Sequence, residues 1–382
     1  MAISFWYPEI VRLAVLLILF APACHWVLPL HGPPEDRSAP PIDGPRRDGD
    51  ADSGDAAADH AGPGDGPGLV EGAVPDEQIP PIDKGGPSGE QAPPPTACSG
   101  SFVAFPFAPP TSSSINGVSC TSAKSIFAVG DTGLLLHFDG KWVQDNSTGF
   151  AYTVEDVWSP TAGGTTAYAV GAHESVLQHT GSAWSEIQNK ASSISVLYGI
   201  WGSGPTDIWA VGSVGVYAHY NGSTWTGKTL GVTGYDLQAV WGDLAGNLYV
   251  AATLGMTGKV LKWDGSNPTP KDAFVTTFRP MSIWGSGPKD IWAVGSKGKA
   301  AHFDGLAWQE QPAAALTLNA IWGSGPQQIF AVGDSGEAVC YDGTGWKPVP
   351  TPANTPVLYD VSGCGTTVLA VGGQGTVLVY AP

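Results

Sequence analysis

A thirteen-residue stretch, Ile200-Trp-Gly-Ser-Gly-Pro-Thr-Asp-Ile-Trp-Ala-Val-Gly212, recurs almost verbatim at 283–295 and 321–333. Nothing else in the chain constrains the fold as strongly. Weaker copies end at Gly130, Gly171, Ala252 and Gly372. Tryptophan, isoleucine and valine among small neighbours suit strands packed on both faces. The Gly-Ser-Gly-Pro between them reads as the turn joining two strands, with glycine supplying positive φ and proline fixing φ at about −65°. Seven copies of one supersecondary unit make a repeat protein.

Each repeat follows one grammar. A first strand ends in Val/Ile-Trp at Trp158, Trp201, Trp241, Trp284 and Trp322, with Ser119 and Ser362 in the outer copies. The second strand carries Phe127, Tyr168, Trp209, Tyr249, Trp292, Phe330 or Leu369 before its small C-terminal residues. A third strand runs into an Asp-Gly or Asn-Gly turn, or Thr180-Gly181 in repeat two, and Trp142, Trp184, Trp225, Trp308 or Trp346 opens the fourth. The fourth repeat departs, with Ser266-Asn-Pro268 at that place. Second strands end 38 to 43 residues apart. Four antiparallel strands at this period, seven times over, predict an all-β, seven-bladed β-propeller of four-stranded antiparallel blades. The seventh repeat stops after its third strand at Pro382. The aromatic stretch at 101–107 is otherwise unassigned and is expected to complete that last blade, because an open ring would leave unpaired edges.

Composition separates the propeller, at 98–382, from what precedes it. Arg12 ends a short n-region and Leu13–Phe20 is apolar, too short for a bilayer span of about 20 residues. This reads as a signal peptide over 1–23. Residues 24–97 are rich in Pro, Gly, Asp and Ala. Between His31 and Ala97 there are fourteen Asp and Glu against four Lys and Arg, a net of −10. Such a segment buries too little apolar surface to offset its ordering entropy, so a disordered acidic tether is expected. As plain coil it would reach about 40–50 Å. The net charge of −17 argues against nucleic acid or anionic lipid as a partner for a basic face.

Ala21-Pro-Ala23 followed by Cys24 resembles the lipobox of bacterial lipoproteins, whose cysteine is acylated, although Ala21 stands where leucine is usual and Pro22 is atypical. Ordinary secretion is the alternative. The tandem Trp-Gly-Ser-Gly-Pro-x-Asp-Ile-Trp-Ala-Val-Gly copies resemble the repeats of surface lipoproteins from myxobacteria and related deltaproteobacteria. That resemblance implies a BNR/kelch-like propeller on the cell envelope, and no particular activity. Outer-membrane or cell-surface placement is therefore expected, with periplasmic or secreted placement as the alternative. The Asp-box of sialidase-type propellers is only partly echoed by Phe303-Asp-Gly-Leu-Ala-Trp308, so sialidase chemistry is not carried over.

In an exported protein, cysteines are better read as disulfides than as metal ligands. Cys120 and Cys364 fall at nearly the same place in repeats one and seven, which a closed ring makes neighbours, so they are expected to pair. Cys98 and Cys340 are a second, less constrained pair, and free thiols remain open. His137, His219 and His302 share one register in repeats one, three and five, with whole blades between them, and read as blade-surface residues rather than a ligand set. The tryptophans recur at fixed strand positions, which points to packing between blades rather than a sugar platform. Positions that repeat geometry does not dictate are better candidates for binding. Tyr152, Tyr198, Tyr235, Arg279 and Tyr359 lie on or beside loops expected to open on the channel face. No Gly-x-Ser-x-Gly, P-loop or His-Glu-x-x-His motif occurs, and no cofactor is implied. The sequence favours a monomeric binding or scaffold module for a protein or surface glycan, touching membrane only through its anchor. The alternative is a glycan hydrolase or lyase with an acid pair in the channel.

Overall fold

The computed structural model describes residues 98–382, apart from 161–163, 189–192, 233, 244 and 265–268. The expected signal peptide, Cys24 and the 24–97 tether lie outside the described residues. Seven four-stranded antiparallel sheets form the fold, and no α-helix occurs among the described residues. In blade three the strands Leu197–Gly204, Asp207–Gly212, Val216–Tyr220 and Trp225–Thr229 pair in sequence order. The other blades repeat this, and their first strands neighbour one another around a central channel.

The last blade, built from Leu358–Cys364, Thr367–Gly372 and Val377–Ala381, takes its fourth strand from the other end of the chain. Ser101–Ala104 runs antiparallel to Val377–Ala381, with Ser101 opposite Ala381 and Ala104 opposite Leu378. Phe102 is buried here, its ring 6.1 Å from Phe330 of blade six and 5.7 Å from Tyr380. Phe105 continues onto blade one against Phe138 and Trp142. Two disulfides lie near this seam: Cys98 joins Cys340 of blade six, and Cys120 of blade one joins Cys364 of blade seven. The second closes a span of 244 residues, worth about 5–6 kcal/mol on the loop-entropy model.

The repeat's glycines do work other than the expected turn. The first strand runs on to Gly204 and the second starts at Asp207, so the turn is Pro205-Thr206 alone. Gly202 instead lies under the ring of Trp158 from the preceding blade, and a Cβ there would sit 2.6 Å from the indole. The same pairing recurs between Trp201 and Gly242, Trp241 and Gly285, Trp284 and Gly323, and Trp322 and Gly363. These five tryptophans are buried, each from one blade onto the next. The glycine of Ala-Val-Gly212 has another cause. The Val196 carbonyl, arriving from the loop before the blade, accepts the Ser213 N–H at 2.9 Å and occupies the space a Cβ on Gly212 would need. Arg279 with Ser296 and Thr317 with Asp334 repeat this beside Gly295 and Gly333.

The tryptophan–glycine pair is missing at two of the seven junctions. Between blades seven and one, Ser362 replaces the tryptophan and Cys120 the glycine, and the Cys120–Cys364 bond lies there. Between blades one and two, Ser119 and Ser159 stand at both places. The Thr121 and Ser125 hydroxyls of blade one there donate to the Gly164 carbonyl of blade two at 3.2 and 3.0 Å.

Two glycines of one motif copy therefore differ sharply in what they tolerate. Gly202→Ala is expected to lower stability by about 1–3 kcal/mol through overpacking against Trp158. Gly204→Ala, whose Cβ meets nothing within 4 Å, should stay within about 0.5 kcal/mol. Urea denaturation of the two variants compares them directly, and equal losses would refute the indole stack.

Candidate functional site

The central channel is a cavity of about 500 Å³ lined by the first strands of all seven blades. Its composition follows from two adjacent columns of the repeat. The column one residue before the Val or Ile of the first strand holds Gly117, Asp156, Gly199, Ala239, Ser282, Ala320 and Asp360. Small residues are required where neighbouring backbones come close: a Cβ on Gly199 would lie 3.0 Å from Cα of Ala239. The two aspartates bridge blades. Asp156 accepts the Val157 N–H on Oδ1 at 2.8 Å and the Ile200 N–H of blade three on Oδ2 at 2.9 Å. Asp360 does the same with Val361 and with Val118 of blade one, both at 2.8 Å. Each aspartate reaches the residue just after a neighbouring glycine, Gly199 or Gly117, which leaves the path open.

The column one residue earlier holds Asn116, Glu155, Tyr198, Gln238, Met281, Asn319 and Tyr359, one from each blade and all on the channel wall. Repeat geometry does not dictate these side chains. Two are held by a shared device: the Asn116 amide donates to Asp131 Oδ1 at 3.0 Å and to the Val154 carbonyl at 3.2 Å, and Asn319 donates to Asp334 at 3.3 Å and to the Leu358 carbonyl at 3.0 Å. Gln238 donates to the Thr253 hydroxyl at 3.1 Å. The charged residues on the wall are Asp131, Glu155, Asp156, Asp334 and Asp360, all acidic. Burial, with the Asp131 and Asp156 carboxylates beside it, pushes the Glu155 carboxyl up to about 7. Burial also raises the Tyr198 hydroxyl, helped by Asp236 and Glu155. A wall of carboxylates, amides and phenols favours ligands that bring hydrogen-bond donors or positive charge.

Of the tyrosines and the arginine expected on this face, Tyr198 and Tyr359 line the channel. Tyr152 does not; it is exposed and meets His173 edge-on at 4.3 Å. Tyr235 lies under the Lys259 amine, 4.4 Å from its ring centre. Arg279 exchanges backbone bonds with Ser296, its N–H donating to Oγ at 2.9 Å, and lies outside the channel lining. Asn116, Glu155, Gln238, Met281 and Asn319 carry no motif of their own, and only alignment of the repeats places them in the column of Tyr198 and Tyr359. Nor are His219 and His302 free surface residues. They stack on Trp209 and Trp292, with ring centres 3.6 and 3.8 Å apart, and bond Asp207 and Asp290 at 2.8 and 2.7 Å. His137 stacks on Phe127 at 4.5 Å.

No protein-family profile and no curated protein matches the sequence. Solved structures do match the fold. YCF48 bound to D1 peptide is 16% identical with a TM-score of 0.59, covering 74% of this chain and 97% of its own. YCF48 from Cyanidioschyzon merolae is 18% identical with a TM-score of 0.58, over 74% and 99%. The WD40 repeats of RRP9 are 9% identical with a TM-score of 0.60, over 74% and 98%. At these identities the likeness is one of fold.

Glu155 gives the site a pH signature. The folded state keeps its proton up to about 7, whereas the unfolded chain releases it at about 4.5, so stability is lost as pH rises between these values. After solvent screening the loss attributable to Glu155 is about 2–3 kcal/mol. Between pH 5 and pH 8 the wild type should lose that much more stability than Glu155→Gln in urea titrations. Parallel pH profiles would show that Glu155 ionises normally.

Proposed function

We propose that the protein is an exported binding module, anchored to a bacterial cell envelope through an acylated Cys24, that receives a partner protein's segment at its channel mouth. The observation that carries this reading is the ring of seven non-equivalent side chains, from Asn116 to Tyr359, on a scaffold otherwise repetitive. A rigid framework with one individual residue per blade is how a propeller acquires specificity, since function lives in the site and not in the fold. The acidic, amide-rich wall suits a polypeptide, which brings backbone N–H groups and cationic side chains. The peptide-bound structure of YCF48 supports a protein segment as the ligand class. The resemblance of the repeats to those of surface lipoproteins, together with Cys24, supports the envelope location.

Turnover of a glycan by Glu155 with Asp131 is the competing reading, motivated by the raised Glu155 carboxyl beside a second carboxylate. Release of reducing ends from envelope polysaccharide that stops in Glu155→Gln would establish it.

A photo-crosslinking amino acid at Tyr359, introduced in living cells, should capture a partner polypeptide. The same group at Val275, exposed on an outer strand, should not. Equal capture at both positions, or capture of glycan alone, would overturn the channel-mouth reading. A clickable fatty acid should label the wild type and not Cys24→Ala; label that persists in the variant would remove the anchor.

A further inference from the structure

The outer parts of the blade junctions are closed by aromatic pairs. Trp184 of blade two meets Phe127 of blade one at 6.0 Å, Trp225 of blade three meets Tyr168 at 6.4 Å, and Trp346 of blade six meets Trp292 at 5.4 Å. In the closing strand Phe102 meets Phe330 at 6.1 Å. Blade four has no tryptophan opening its fourth strand, and Trp263 from its third strand packs on Trp209 at 4.7 Å instead. Between blades seven and one Leu369 takes the place of the ring and packs in one cluster with Trp142. Between blades four and five both rings are present and the pattern breaks. There Trp308 should meet Tyr249, yet among the described residues no ring contact joins them. Trp308 stacks on Phe274 of blade four's fourth strand, ring centres 5.8 Å apart and 15° from parallel. That strand, Lys271–Thr276, pairs with a register shift between Val260 and Leu261. A cleft of about 560 Å³ lies at this junction.

The cleft has a definite chemistry. Tyr249, Phe274, Phe303 and Trp308 wall it, and Leu306 stands at its lip, 92% exposed. Among the described residues the charges lining it are Lys262 and Lys289, in a chain of net charge −17. Among the described residues no carboxylate or amide side chain lines it, so a sugar's hydroxyls would find few partners there and lose their hydrogen bonds to water. An apolar side chain would bury against the rings, and a nearby carboxylate would meet the lysines.

We propose that this cleft is a second docking site, separate from the channel mouth, for a partner polypeptide that inserts an apolar side chain and carries an aspartate or glutamate within two residues of it. The site exists because the fourth repeat departs from the grammar of the others: its fourth strand is displaced, and Phe274 holds Trp308 away from Tyr249. Lys262 and Lys289 give the cleft a sign opposite to that of the channel, so the two sites would take ligands of opposite charge.

A displayed heptapeptide library panned on the full-length protein tests this. Binders should be recovered that lose at least tenfold in affinity for Ala307→Trp, which plugs the cleft, and for the double variant Lys262→Glu/Lys289→Glu. They should share Leu, Ile, Phe or Pro beside Asp or Glu. Both variants should melt at the wild-type temperature; if Ala307→Trp does not, Leu306→Asp at the exposed lip replaces it. Recovery of no cleft-sensitive binder would overturn the proposal. So would cleft-sensitive binders without an acid, or binders unaffected by the lysine reversals. Binders weakened only by Tyr359→Ala belong to the channel and count against the cleft, leaving the channel-mouth reading intact.

Discussion

The ring depends on an indole laid flat over a bare backbone. Trp158, Trp201, Trp241, Trp284 and Trp322 each cover a glycine of the following blade, and the absent Cβ lets ring and strand meet at van der Waals distance. Truncating a buried tryptophan typically costs about 3–5 kcal/mol, so five such stacks in series are a large share of what orients the blades. The stack is also directional, always from one blade to the next. Such a series starts and ends somewhere, and here it is interrupted on both sides of blade one. Other fastenings operate there: the Cys120–Cys364 bond, the strand Ser101–Ala104 on the last blade, and two hydroxyls sharing the Gly164 carbonyl.

Because packing is handled by this recurring pair, the columns nearest the axis are released from it. One column is filled by what the neighbouring backbone permits, glycine, alanine or serine, or by an aspartate that clamps two blades together. The adjacent column faces the channel with no structural duty common to all blades. Individuality is concentrated there, and so is the acidic character that raises the Glu155 carboxyl. The junction between blades four and five shows the converse: where one repeat departs from the grammar, space opens that packing fills elsewhere.

Blade number, strand order and the closing strand were legible in the sequence, because each follows from local periodicity and from counting strands. The burial of Trp201 and Trp284 was legible for the same reason. The role of Gly202 was not. Read locally, Gly-Ser-Gly-Pro is a turn, and nothing within the motif reveals that the ring over its first glycine comes from the preceding blade, more than forty residues earlier in the chain. The channel ring is hidden for a related reason. Tyr198 and Tyr359 stand out as aromatic residues near loops, whereas Asn116, Gln238 and Asn319 look ordinary until the repeats are aligned by column. Tyr152, Tyr235 and Arg279 lie on loops of the same kind yet outside the channel lining, because loop membership alone does not fix distance from the axis.

The placement of Cys98 has a mechanical consequence. Tension arriving along the chain from its N-terminal side meets this residue before it meets Ser101. The bond to Cys340 passes that load sideways into blade six, three residues ahead of the strand whose hydrogen bonds close the ring. The zipper of Ser101–Ala104 on Val377–Ala381 is thereby shielded from being peeled open, and the covalent link serves as a strain relief, as a cable clamp protects a solder joint.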